Sequence, residues 1–269
     1  MDGLAALPHL ATAAPRATSS MRIAILDCSP DGSDHAEHYP NDGEKYVALL
    51  GPLRPDWTFH TVTVHENVLP GLVSDHDAYV ISGSSRSNCE DGGWVDRLHG
   101  FIRKLDEARS PTVGICFGHQ AIALALGGAV ADLPGSDQGE QTHVGMATMK
   151  MCAREPWMKP WRESVDLRCL HEEQVVRLPE RARLLAWHHE CPVAMFAVGD
   201  EGGGHMLGCE FHPEVHADYL VSKIRSQKDV LGEEKAARAE DEAKGDADGG
   251  VVGEWMVRFI EQARAASKP

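Results

Sequence analysis

Apolar positions recur along this chain with two different periods, and their alternation predicts a layered α/β fold. Arg22 to Asp27 (RIAILD) is a short apolar run followed, from Cys28 to Asp42, by Ser, Pro, Asp, Gly and His, and reads as a first core strand with its loop. Thr58 to Val64 alternates in a strand-like way, and Ala78 to Ile81 is a continuous apolar run ending at Ser82-Gly83-Ser84. Gly43 to Leu50 and Trp94 to Ala108 have helical spacing; in the second, Val95, Leu98, Phe101, Ile102 and Leu105 recur every three or four residues. Pro111 to Ile115 reads as a brief buried strand running straight into a helix, Phe117 to Leu126, that stops at Gly127-Gly128. Strands alternating with helices imply a parallel sheet covered on both faces.

The second half is richer in strands. Short β-like stretches are expected at His143 to Met151, Asp166 to Leu170, Leu184 to Trp187, Val193 to Val198 and His205 to Phe211, separated by turn residues. Helical periodicity returns over His216 to Lys228. Residues 232–250 are dense in Ala, Glu, Lys and Asp and are expected to form a solvated helix and a flexible acidic loop. A last amphipathic helix, about Val252 to Ala265, carries Trp255, Val257, Phe259 and Ile260. Residues 1–20, rich in Ala, Ser, Thr and Pro, are expected to be a disordered extension, with a transit segment as the alternative and Met21 as a candidate start. Residues 21–269 are then one domain.

Composition narrows the function classes. With 269 residues, 42% of them hydrophobic and 25% charged, the chain can bury a substantial core. The net charge of -15, without any dense Lys/Arg stripe, argues against a nucleic-acid partner. No stretch approaches the roughly 18 apolar residues of a bilayer span, so no membrane association is expected. Seven cysteines, an odd number without C-x-x-C spacing, suggest a reducing, cytoplasmic setting in which most are small buried hydrophobes and one is reactive.

The candidate reactive residue is Cys116, in Gly114-Ile115-Cys116-Phe117-Gly118-His119-Gln120 at a strand–helix junction. A side chain on such an elbow needs small neighbours on both sides, and the helix N-terminus favours a thiolate. Taken alone, the elbow also fits an inert core cysteine. A thiolate attacking an amide needs a proton donor for the leaving nitrogen, for which histidine is best matched near neutral pH. His212 follows an expected strand in Gly208-Cys209-Glu210-Phe211-His212-Pro213-Glu214, and Glu214 could orient its ring across a stiff proline.

Together G-I-C-F-G-H-Q and the downstream F-H-P-E resemble the class I glutamine amidotransferases, from about Met21 to the last helix and most closely their free-standing members, such as γ-glutamyl peptidase-like proteins and glutaminase domains of GMP synthase type. The resemblance implies a flavodoxin-like single domain: a central, mostly parallel sheet with helices on both faces, plus a smaller antiparallel sheet. It implies Cys116 as nucleophile with His212 and Glu214 completing a triad, and an oxyanion hole from the backbone N–H groups of Gly83 and Phe117. Gln120 is implied in holding the glutamyl end of the substrate. His171, in His171-Glu172-Glu173-Gln174-Val175, is a weaker candidate contact for which a solvated loop is the alternative.

The implied reaction converts a γ-glutamyl amide, glutamine or another γ-glutamyl small molecule, through a Cys116 thioester. Either ammonia passes to a synthase on a separate chain, or the protein acts alone as a γ-glutamyl hydrolase or transferase. A non-catalytic binding or regulatory role is a third reading, disfavoured by an intact Cys, His and Glu. No cofactor is expected. No metal is expected either, because His188-His189-Glu190 and His212 with His216 match neither H-E-x-x-H nor a Cys/His cluster. Three departures from the family pattern stand out: Ser85-Arg86-Ser87 where relatives have proline after Ser-Gly-Ser, Glu210 where a neutral residue is usual and adds negative charge near His212, and a stretch from Gln141 to Met149 without the usual aromatic end.

Overall fold

The computed structural model describes residues 20–30, 39–89, 93–134, 142–200 and 202–267. Residues 1–19 of the expected extension and 31–38 of the first loop lie outside them. The first half alternates as expected: β1 (Arg22–Asp27), α1 (Asp42–Leu50), β2 (Thr58–Thr63), β3 (Ala78–Ile81), α2 (Trp94–Glu107), β4 (Thr112–Ile115) and α3 (Phe117–Ala125). The second half contains β5 (Ala129–Asp132), β6 (His143–Met151), β7 (Ser164–His171), β8 (Glu173–Arg177), β9 (Ala182–Trp187), β10 (Met195–Val198) and β11 (Met206–Cys209). Helices α4 (Ala217–Ser226), α5 (Lys228–Leu231), α6 (Glu233–Ala243) and α7 (Gly249–Ala266) close the chain.

One nine-stranded mixed sheet runs β2-β1-β3-β4-β11-β10-β9-β6-β7, and β5 pairs with β8 in a separate two-stranded antiparallel sheet. Strands β2, β1, β3, β4 and β11 are mutually parallel, whereas the pairings from β11 outward to β7 are antiparallel. The short antiparallel sheet is thus the β5–β8 pair. The β-rich second half mostly extends the main sheet instead of standing apart.

Both faces of β1, β3, β4 and β11 are covered, which explains why these strands read as apolar runs, whereas the edge strand β2 is largely exposed and alternates. Along β1, Ile23 and Ile25 pack in one core with Tyr46 and Leu50 of α1 and Trp255, Phe259 and Ile260 of α7. Ala24 and Leu26 face the opposite core, with Leu98, Phe101, Ile102 and Leu105 of α2 and Ala121 and Ile122 of α3. Each large apolar side chain removed from water contributes about 1.5–3 kcal/mol. Helix α1 begins with a capping box in which Asn41 accepts from Glu44 N–H while the Glu44 carboxylate accepts from Asn41 N–H.

A third cluster joins α4, α5 and α6 to β6 through Val144, Leu220, Ile224, Leu231, Ala236, Ala239 and Ala243. The acidic segment 232–250 is therefore half packed: the alanine face of α6 is buried while Glu233, Glu234 and Asp241 are exposed. Among the described residues no helix is long and apolar enough to cross a membrane.

Candidate active site

The carboxyl ends of β3, β4 and β11 meet at one place, the position where open α/β sheets build sites. Ser82 and Gly83 follow β3, Cys116 follows β4, and His212 lies three residues beyond β11. At Cys116 the chain passes from strand to helix with φ 49° and ψ -106°, a left-handed conformation costly for a residue with a side chain. The glycines on either side make the turn fit: a Cβ on Gly114 would strike the Gly118 carbonyl, and one on Gly118 would strike the Ile81 carbonyl. Backbone bonds from Cys116 N–H to Cys209 O (2.9 Å) and from Gln120 N–H to Cys116 O (3.0 Å) fasten both ends.

The loop after β3 is tied down as firmly. Ser82 Oγ accepts from Cys28 N–H (2.9 Å) and donates to the Gly83 carbonyl (2.8 Å), and Ser84 Oγ donates to the Cys28 carbonyl (2.7 Å). Gly118 N–H donates to Ser82 O (3.1 Å), linking this loop to the elbow. Gly83 lies in the corner between His212 and Cys116: a Cβ there would sit 3.1 Å from His212 Cε1 and 3.9 Å from Cys116 Cβ. The Phe117 N–H, in the first turn of α3, acts to lower the Cys116 pKa, and the Cys116 thiol lies 3.9 Å from the Leu170 carbonyl.

His212 and Glu214 are joined by a 2.8 Å hydrogen bond between Nδ1 and Oε1. A carboxylate only accepts, so Nδ1 carries the proton and Nε2 is left as the basic nitrogen. Burial alone would depress the His212 pKa; the charge and hydrogen bond of Glu214 outweigh it and raise the pKa above 6.5. Burial pushes Glu214 upward, and the His212 charge and hydrogen bond win, holding it below the usual carboxylate value. Lys45 and Tyr46 of α1 stand behind Glu214; the Tyr46 hydroxyl is pushed well up by burial and then by Glu214.

The thiol itself is raised well above its ordinary value, first by burial and then by Glu210 and Glu214, with the Phe117 N–H acting the other way. The helix N-terminus therefore does not leave a standing thiolate, contrary to what the elbow alone suggests. Cys116 rests as a thiol, and its ionisation calls for a neighbouring base.

Glu210, the expected added acidic residue, lies beside Cys116 and Gln120. It is fully buried, and burial raises its pKa well above 4.5 despite a hydrogen bond from Gln120 Nε2 (3.0 Å). Its neighbour His119 is neutral, held down to about 3 by burial, with Nε2 3.5 Å from Glu210 Oε2.

Gln120 lines the cleft and donates through Nε2 to the Glu173 carbonyl (2.8 Å) as well as to Glu210. His171 is no loop residue: it ends β7, is 5% exposed, and donates through Nδ1 to the Glu173 carbonyl (2.9 Å). Burial keeps it neutral, with a pKa of about 4. The cleft has a volume of about 860 Å³ and brings together Gly83, Cys116, Phe117, Gln120, His171, His212 and Glu214. Its remaining wall includes Lys45, Arg86, Arg168 and Lys223, basic residues that no local motif singles out, and the acidic Asp42, Asp132, Glu172 and Glu173. His216 is outside this wall, as the N-cap of α4.

A profile of the family described as "Glutamine amidotransferase class-I" matches residues 57–224. Gamma-glutamyl peptidase 4 of Arabidopsis thaliana is 32% identical over 206 residues, covering 76% of this chain and 79% of the relative. The glutamine-hydrolysing GMP synthase of Chlorobium phaeobacteroides is 29% identical over 179 residues, 64% of this chain and 33% of that one. The crystal structure of a glutamine amidotransferase from Thermotoga maritima superposes with a TM-score of 0.65 at 18% identity, covering 90% of this chain and 99% of the other. The fold agrees with that neighbour, and the sequence match spans the strands that carry Cys116 and His212: the chain belongs to the class I glutamine amidotransferase family.

Proposed function

We propose that the protein hydrolyses γ-glutamyl amide bonds through a Cys116 thioester, with γ-glutamyl peptides or conjugates as its substrates. The observation that carries this reading is the His212–Glu214 pair beside Cys116 on its strained elbow. The Cys116 sulfur attacks the γ-carbonyl carbon while its proton passes to His212 Nε2, and Glu214 stabilises the imidazolium. The carbonyl oxygen, now negative, is received by the N–H groups of Gly83 and Phe117; one such donor commonly supplies about 3 kcal/mol. His212 returns the proton to the leaving nitrogen as the C–N bond breaks, leaving a glutamyl thioester. Water, deprotonated by His212, then releases glutamate and restores the thiol.

Gln120 and His171 are assigned to the glutamyl end, on the side of the cleft where Gln120 already binds the β8 backbone. The substrate class rests on two facts. The cleft, about 860 Å³, has room for more than the glutamyl group, and its wall offers both basic and acidic side chains to a leaving portion. The γ-glutamyl peptidase match covers most of both chains, whereas the GMP synthase match covers 33% of the relative. Glutamine, with its ammonia passed to a synthase on a separate chain, is the second reading, favoured by that GMP synthase match.

The test is release of glutamate from glutathione, other γ-glutamyl dipeptides and glutamine by wild type and Cys116→Ala. The expected result is turnover of the peptides by wild type alone, without any partner. Equal turnover by both proteins removes the nucleophile assignment. Activity confined to glutamine and dependent on an added synthase supports the second reading.

A further inference from the structure

Beyond the catalytic cleft, the structure assembles a second group of donors. His143, the first residue of β6, lies directly opposite His171 of β7 in the antiparallel register. His188, His189 and Glu190 lie on the turn between β9 and β10, which is held by paired backbone bonds between His188 and Cys191 (2.9 and 3.1 Å). The rings of His143, His171 and His188 all rest on Phe211, with centroids 5.6–5.9 Å away. One ligand atom each from His143, His188 and Glu190 lies within 4.8 Å of the others.

The hydrogen bonds define which atom of His143 is available. The Glu173 carbonyl can only accept, so His171 Nδ1 bears a proton and its Nε2, in the neutral ring, is an acceptor. His143 Nδ1, 3.0 Å away, must then donate to it. That leaves His143 Nε2 with a lone pair directed at Glu190 Oε2, 3.5 Å off, while His189 Nε2 lies 3.7 Å from the same oxygen. A lone pair facing a carboxylate at this distance is reconciled by a cation between them. A histidine ligand whose other ring nitrogen donates to a fixed acceptor is also the usual arrangement at metal centres.

We propose that His143, His188 and Glu190 bind a divalent ion of the zinc class, for which two imidazoles and a carboxylate are a suitable donor set. The 4.8 Å spread contracts to bonding geometry by rotation of Glu190, whose side chain is 58% exposed, and ligation by His188 displaces either the Glu190 N–H that its Nδ1 accepts at 3.2 Å or, through Nε2, the ring proton. The three ligands border a second cavity of about 740 Å³, which gives an ion an entry path. Bound there, the ion holds His143, and through it His171, in the cleft wall. The site is therefore structural or modulatory, separate from Cys116 and His212.

The experiment is titration of chelator-treated protein with Zn²⁺ against a chromogenic chelator, together with the absorption spectrum of the Co²⁺ form. The expected result is one ion per chain at micromolar or tighter affinity, and a Co²⁺ spectrum without thiolate charge transfer. Cys116→Ala should retain the ion, whereas Glu190→Gln and His188→Ala should each weaken binding about tenfold or more. Glu190→Gln alters an exposed side chain and so reads binding without disturbing the core. No stoichiometric binding, equal binding by Glu190→Gln, or loss of binding in Cys116→Ala overturns the proposal.

Discussion

In the proposed reaction Cys116 and His212 exchange a proton, and the protonation state of each is set by tertiary surroundings. Because burial raises the thiol and Glu214 raises His212, the resting pair is a thiol and an imidazole that must be neutral to accept the proton. Activity should therefore climb with pH through a value above 6.5. In Glu214→Gln the largest raising influence is gone while burial remains and Asp42 still acts, so the limb should move to lower pH while kcat falls about 100-fold or more. A pH profile of kcat/KM for both proteins checks this, and an unmoved limb would detach Glu214 from His212. Glu210 gives a second prediction at this scale. Its folded pKa lies above the unfolded value of 4.5, so the stability it contributes is complete below that pH and lost as pH rises toward the folded value. Glu210→Gln keeps the acceptor for Gln120 and removes this cost, so thermal unfolding should show a Tm advantage of about 2 °C or more at pH 8 that vanishes near pH 4. The motif residues were legible because G-x-C-x-G and H-P-E place chemistry within a few positions of a turn. The upward shift of Glu210 was not, since desolvation depends on His119, Gln120 and the strands around it.

Strand ends, more than helix faces, position the site. Cys116, Gly83 and His212 each follow a strand of the parallel region, so the sheet register sets their spacing. Gly118→Ala tests this. The added Cβ meets the Ile81 carbonyl on the neighbouring strand, and the overpacking should cost about 1–3 kcal/mol, lowering Tm by several degrees and removing most activity. A variant with unchanged Tm and turnover would show that the elbow has slack. Strands and helices with strong periodicity, such as α2 and β3, were readable from their apolar patterns. The pair β5–β8 was not, because each strand is short and gains its partner only in three dimensions. His171 consequently read as a candidate loop residue although β7 ends on it.

Across the whole molecule, a chain of net charge -15 carries a cleft whose wall mixes Lys45, Arg86, Arg168 and Lys223 with Asp42, Asp132, Glu172 and Glu173. The acyl half of the proposed reaction follows from local motifs that the fold brings together. The leaving-group half depends on side chains from α1, β7, α4 and the loop after β3, which share no sequence signal, and this is why the linear pattern left the substrate open. Likewise His143 and the turn at His188 to Glu190 come from distant strands, so their spacing along the chain conceals the donor set.

The proposed chemistry makes Cys116, alone among the seven cysteines, the γ-glutamyl nucleophile. Intact-protein and peptide mass spectrometry after treatment with a glutamine-analogue electrophile tests it most directly. One adduct per chain is expected, on Cys116, suppressed by a γ-glutamyl peptide and absent from Cys116→Ala. An adduct instead on exposed Cys89 or Cys152, with Cys116 unmodified, would contradict it.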